Sequence, residues 1–239
     1  MVQFKSYDDI GVSTEGHVAT IEIQRPPHNF FDYSLIQQIA DAMETIDEDN
    51  NLRCVVLCAQ GKSFCAGANF GSDGNSASRS QENNPTDKSS HLYVEAVRLF
   101  ATKTPIVGAI QGAAIGGGLG LSLVPDFRVA CPESRFAANF TRLGFHPGFG
   151  LTHTLPALIG NQRATLMFYT SRRIKGEKAY EWGLADMLVP LEEVRTAATD
   201  LAKEISENSP LGVMETRATI RQGLADRVRK TTDHEHRKH

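Results

Sequence analysis

Residues 104–118 read TPIVGAIQGAAIGGG, and residues 119–123, LGLSL, follow without a charge. The stretch divides into three parts. Residues 105–110 (PIVGAI) form a continuous apolar run, as expected of a strand covered on both faces. Residues 111–118 are a turn with almost no side chain, and residues 119–123 begin an apolar helix. Small residues let a ligand approach the backbone closely, and the first N–H groups of a helix have no partner inside it. Those groups sit at the positive end of the helix dipole, so they suit an anion or a carbonyl oxygen that is gaining charge.

The same construction occurs upstream. Cys54–Ala59 (CVVLCA) is a second apolar strand, and residues 61–69 (GKSFCAGAN) turn out of it. Two such turns whose N–H donors converge make an oxyanion hole, in which each donor stabilises developing charge by about 3–4 kcal/mol. Other glycine-rich readings fail. Residues 112–118, GAAIGGG, are not the GxGxxG of a dinucleotide fold and lack the acidic residue expected at the end of a second strand; GKS at 61–63 lacks the upstream glycine of a phosphate loop.

Working outward, Ala19, Ile21 and Ile23 alternate as on a half-buried strand that Arg25-Pro26-Pro27 ends. Leu35, Ile39, Met43 and Ile46 recur at helical spacing before Asp47-Glu48-Asp49-Asn50 breaks the pattern. Residues 127–131 give a third buried strand. Strand and helix in alternation point to an α/β fold of stacked βαβ units. Residues 71–91 are nearly devoid of apolar side chains and read as a loop, of a length that often marks a lid. Further on, helices are predicted over 152–159 and 162–170 on either side of Gly160, over 177–182 with Gly183 as its stop, and over 191–206 and 211–228, separated by Ser209-Pro210. A short strand is predicted over 184–189.

The chain of 239 residues, 41% hydrophobic and 22% charged, supplies one substantial core. A net charge of −3 makes no case for nucleic acid or anionic membrane. No basic-then-apolar leader opens the chain, and no stretch reaches the roughly 20 apolar residues of a membrane span. Cys54, Cys58, Cys65 and Cys131 form no CxxC pair and no histidine cluster has ligand spacing, so a metal is not expected. The expectation is a reduced, cytoplasmic protein.

FCAGA at 64–68, the run at 104–118, VPDFRVACPESRFA at 124–137, LGFHPGFG at 143–150 and YEWGLADMLVP at 180–190 together resemble the signature run of the crotonase (enoyl-CoA hydratase/isomerase) family over nearly the whole chain. The resemblance implies a spiral of ββα units over residues 1–190 and a helical region over residues 191–239 that builds a homotrimer or homohexamer. It implies an acyl-CoA thioester as substrate, and no cofactor beyond the coenzyme A the substrate carries. Carried over by position, it makes the N–H groups of Ala68 and Gly117 the oxyanion hole. Pro27, His28, Ala66, Gly67, Asn69 and Phe70 would line the coenzyme A path, Lys62 would meet phosphate, and Gly116 and Phe140 would border the acyl group.

The sequence also departs from the family. Hydratases that resemble it carry two catalytic glutamates, one after the glycine triplet and one after the next strand; those positions here are Gly120 and Phe140. Neither can move a proton, so hydration by the usual route has no general acid or base. His146 is the first candidate to replace them, because histidine titrates near neutral pH. Asp73 or Glu82 of the polar loop is a second, and Cys65 a third. Asn69 could hydrogen-bond substrate or water, and Asp126 is expected to be structural. The histidine-rich end, where relatives continue further, is expected to be a solvated terminus. Three readings follow: a thioester enzyme working through an enolate, a weak hydratase or isomerase, or a silent acyl-CoA-binding protein.

Overall fold

The computed structural model describes residues 2–69 and 92–238. The polar stretch 71–91, with Asp73 and Glu82, and Phe70 lie outside the described residues. One sheet runs in the order β1-β2-β3-β4-β6-β9, built from β1 (Ile10–Glu15), β2 (Val18–Ile23), β3 (Cys54–Ala59), β4 (Ile106–Ile110), β6 (Phe127–Ala130) and β9 (Met187–Leu188). β1 and β2 pair antiparallel, and every later neighbour is parallel. β1 is not predicted from sequence, because only Ile10 of its six residues is buried and the strand shows no alternation.

The apolar run of β3 is buried at all six positions for a specific reason. Successive side chains point to opposite faces, so Val55 and Leu57 enter one core while Cys54, Val56 and Cys58 enter another. The first core holds the stripe Leu35, Ile39, Met43 and Ile46 of α1 (Tyr33–Asp47), a helix that Asp32 caps by accepting from Leu35 N at 3.0 Å. The second is closed by Val194, Ala198 and Ala202 of α7 (Val194–Ser206). Burying a Val or Leu side chain fully stabilises by about 1.5–3 kcal/mol.

After each central strand the chain takes the same course. β4 leads to β5 (Ala113–Ile115) and α3 (Gly117–Ser122); β6 leads to β7 (Arg135–Ala137) and, past a 3-10 turn, to α4 (Leu151–Ile159). β5, β7 and β8 (Ile174–Lys175) make a second, three-stranded sheet. β3 follows suit, since Cys65 beyond it pairs in parallel with Ala114. The fold is thus the expected α/β spiral of ββα units. α2 (Leu92–Phe100) packs beside α1; α5 (Asn161–Thr170) and α6 (Gly176–Trp182), which stops at Gly183 in the left-handed conformation, follow as predicted.

The C-terminal part differs from expectation in two ways. The single helix predicted over 211–228 is two, α8 (Pro210–Ile220) and α9 (Leu224–His236), parted by Gly223 at φ 72°. α8 has no continuous apolar stripe: its Leu211 and Ile220 are exposed, while its buried residue is Arg217, drawn in by Asp126. The second correction concerns the terminus. It is helical to His236 because Glu235, fully buried, accepts hydrogen bonds from Gly150 N (2.8 Å), Thr152 N (3.0 Å) and Thr152 Oγ1 (2.6 Å), N–H and O–H groups at the start of α4. Asp126 is structural as expected: it accepts from Ile106 N at 2.8 Å and pairs with Arg217 and Arg221, each at 2.9 Å. The four cysteines are buried and free. No helix among the described residues is long and apolar enough to cross a membrane.

Removing the Glu235 carboxyl strands two buried N–H donors, so E235A should lower stability by about 2 kcal/mol and E235Q by less, read from urea midpoints. Burial pushes this carboxyl above its usual range, against the opposing pull of its donors and of His146. The folded chain therefore holds the proton more tightly than the unfolded one. This contribution is complete below the unfolded value of 4.5 and is lost as pH rises through the folded value. The native chain should gain on E235Q as pH is lowered into that window; the opposite slope would show that the charged form carries the contact.

Candidate active site

Two backbone hydrogen bonds bring the glycine-rich turns together. Cys65 N donates to Ala113 O (2.9 Å) and Ile115 N donates to Cys65 O (3.0 Å). Approach this close excludes side chains. A Cβ at Gly67, which adopts φ +87°, would lie 2.7 Å from Ile115 O, and one at Gly118 would overlap Cys65 O. The turn after β2 joins them, as Ala66 N donates to His28 O (2.9 Å) and Phe31 N to Gly67 O (3.1 Å).

Along these turns Cys65, Ala66, Ile115 and Gly116 spend their N–H groups internally, the last on Ala137 O at 2.8 Å. The N–H groups of Ala68 and Gly117 have no acceptor among the described residues. They are the two donors the sequence singled out, and they sit on turns that are hydrogen-bonded to each other.

Phenylalanines wall the donors. Phe31 lies on Gly117 so closely that a Cβ there would overlap its ring. At Gly116, a Cβ would meet Asn139 Oδ1 at 3.1 Å and Phe140 Cζ at 3.8 Å. At Gly120 it would lie 2.5 Å from Phe149 Cγ. Phe149 in turn packs edge-on against Phe31, Tyr93 and Phe100, with ring centroids 6.2, 6.0 and 6.3 Å away. The Phe149 ring therefore occupies the space a side chain at Gly120 would need.

The remaining predicted residues are spread around this centre. Pro27 and His28 are exposed in the turn after β2, and the His28 ring tilts against Phe30 at 5.2 Å. Lys62 and Asn69 are exposed, Ala66 and Ala68 half-buried, and Gly67, Gly116 and Phe140 buried. Phe70 lies outside the described residues. His146 is half-buried beside α9, its ring 6.3 Å from that of His234 and its Nδ1 2.8 Å from Pro147 O. Cys65 is fully buried, and that burial pushes its thiol up to about 12, which removes the thiolate a nucleophile needs. No group of three or more metal-ligating side chains occurs among the described residues. Sequence reasoning missed Phe31, Asn139, Phe149 and Glu235. Asn139 stood next to the substituted position Phe140 and was within reach; Phe31 and Phe149 carry no signal but hydrophobicity.

Residues 13–239 match the family model described as enoyl-CoA hydratase/isomerase. The protein YngF of Bacillus subtilis (strain 168), which carries the same family name, is 33% identical over 210 residues, 87% of this chain and 79% of that protein. A crotonyl-CoA hydratase of Syntrophomonas wolfei is 29% identical over 222 residues, 92% of this chain and 84% of its own. The solved structure of an enoyl-CoA hydratase/isomerase from Pseudoalteromonas atlantica T6c superposes with a TM-score of 0.86 at 25% identity, over 97% of this chain and 90% of that one. The chain belongs to the enoyl-CoA hydratase/isomerase family. The expected enzyme class, a lyase or isomerase, agrees with these relatives at the level of the family.

The Gly120–Phe149 contact gives a coupling test. G120A forces a methyl into the ring and should lower stability by about 1–3 kcal/mol. F149A alone should lower it by about 3–5 kcal/mol. In the double variant the methyl enters vacated space, so the measured loss should fall short of the sum by 1 kcal/mol or more, within the range seen for contacting pairs. Additive losses in urea titration would show that the two positions do not touch.

Proposed function

We propose that this protein is an acyl-CoA thioester enzyme whose central catalytic device is an oxyanion hole formed by the N–H groups of Ala68 and Gly117. The observation that carries the reading is that these two donors have no acceptor among the described residues, while the turns bearing them are tied together through Cys65, Ala113 and Ile115. A thioester oxygen placed between them accepts both hydrogen bonds. When a bond at the α-carbon breaks, its electron pair moves into the carbonyl and the oxygen becomes an enolate oxygen, bound more tightly than the ground-state carbonyl. Only that difference accelerates the reaction.

Coenzyme A would enter along Pro27, His28, Ala66, Gly67 and Asn69, with Lys62 at its phosphates and Gly116 and Phe140 beside the acyl group. The surfaces that α8 leaves apolar, at Leu211 and Ile220, support assembly as a homotrimer or homohexamer. Addition of water by a pair of carboxylates does not fit this chain, because Phe149 fills the space at Gly120 and Phe140 is apolar. The proton the enolate exchanges is assigned to His146.

A panel of acyl-CoA thioesters tests the reading. At least one should be turned over, while crotonyl-CoA hydration should lie 10⁴-fold or more below a competent hydratase, since each acid–base group contributes about 10²–10⁴-fold. A68P, which deletes one donor, should lower the observed turnover by about 10²–10³-fold with an unchanged circular dichroism spectrum. Turnover that survives A68P would remove the oxyanion hole from the mechanism. H146Q should lower kcat by about 10²-fold or more. A loss under threefold would make His146 a structural residue.

A further inference from the structure

Asn139 follows β7 directly, on the turn that carries Phe140. Its neighbour two residues earlier, Ala137, accepts the N–H of Gly116 and so fixes this turn against the one that bears Gly117. A Cβ at Gly116 would find Asn139 Oδ1 as its nearest neighbour at 3.1 Å, with Phe140 Cζ next at 3.8 Å. The carboxamide therefore lies against the residue that immediately precedes a proposed oxyanion donor. It is half-buried, and its side chain makes no hydrogen bond among the described residues.

An amide brings two N–H donors and one acceptor. Half-buried beside Gly116 and Phe140, the Asn139 side chain leaves this hydrogen-bonding capacity unused among the described residues. Oδ1 faces Gly116, so the donors of Nδ2 are the ones left to meet a ligand. With the thioester oxygen held by Gly117, the part of the substrate that reaches the neighbouring Gly116 is the acyl chain a bond or two beyond the carbonyl.

We infer that Asn139 is a specificity-determining residue that selects thioesters carrying an acceptor-only oxygen on C3, a 3-oxo group or a 3-carboxylate. The inference rests on the acyl-CoA reading above and adds to it the class of acyl group. Asn139 takes no proton; it satisfies its donors on that oxygen and so orients the Cα–C3 bond over the two backbone donors. A 3-oxo and a 3-carboxylate group present the same acceptor, and binding to both acetoacetyl-CoA and malonyl-CoA separates them.

Calorimetric titration of the full chain with acetoacetyl-CoA, malonyl-CoA and butyryl-CoA tests it. One or both of the oxygenated thioesters should bind at least tenfold more tightly than butyryl-CoA, in line with rejection of an analogue that leaves a site's polar group unpaired. In N139L that ratio should fall to about one. In N139D, which exchanges the donors for acceptors and adds a charge, it should fall below one, most steeply for malonyl-CoA. Both variants should keep the wild-type circular dichroism spectrum, and N139S serves if either fails to fold. Butyryl-CoA binding as tightly as the oxygenated pair, or a ratio that persists in N139L, overturns the role of Asn139 and leaves the acyl-CoA reading standing. Binding of none of the three overturns both.

Discussion

Two hydrogen bonds, Cys65 N to Ala113 O and Ile115 N to Cys65 O, tie the turn after β3 to the turn after β4 at backbone contact distance. Individually each contributes about 1 kcal/mol. Their structural effect is larger, because backbones that close leave no room for side chains, which is why Gly67 and Gly118 are glycines. The N–H groups of Ala68 and Gly117, which the bridge does not consume, have no acceptor among the described residues. The buried parallel strands behind the turns, packed on α1 and α7, hold both rigidly in register.

The same backbone can serve different chemistries, and the side chains around it decide which. In this protein phenylalanines stand around the glycines of the turn after β4. Phe149 occupies the space beside Gly120, and Phe31 and Phe140 close on Gly117 and Gly116. An apolar wall lowers the local dielectric and so strengthens the interaction between two N–H dipoles and a developing oxyanion.

The C-terminal helix is more than an appendage. Through Glu235 it supplies the N-terminal cap of α4, the helix that begins just after Phe149. The Asp126 pairings with Arg217 and Arg221 anchor the preceding helix to the ends of β4 and β6. Two carboxyl groups, buried Glu235 and half-buried Asp126, thus couple the helical region to the spiral through hydrogen bonds to groups that would otherwise be unsatisfied. The placement of Phe149, and with it the packing against Gly120, depends on a residue 86 positions away in the chain.

Much of this was legible in the sequence. The apolar runs CVVLCA and PIVGAI read as doubly covered strands followed by side-chain-poor turns, and the family resemblance that those turns carry pointed to Ala68 and Gly117 as donors. The absence of a carboxylate at Gly120 and Phe140 could be read directly. What filled their space could not, since a phenylalanine has the same pattern whether it packs in a core or against a catalytic turn. β1 was hidden because the strand is mostly exposed, and the separation of α8 from α9 at Gly223 because α8 has no continuous apolar stripe to mark its end. Glu235 lies at the far limit. A polar residue's role depends on which donors and acceptors surround it, and those come from distant segments that only the folded chain brings together.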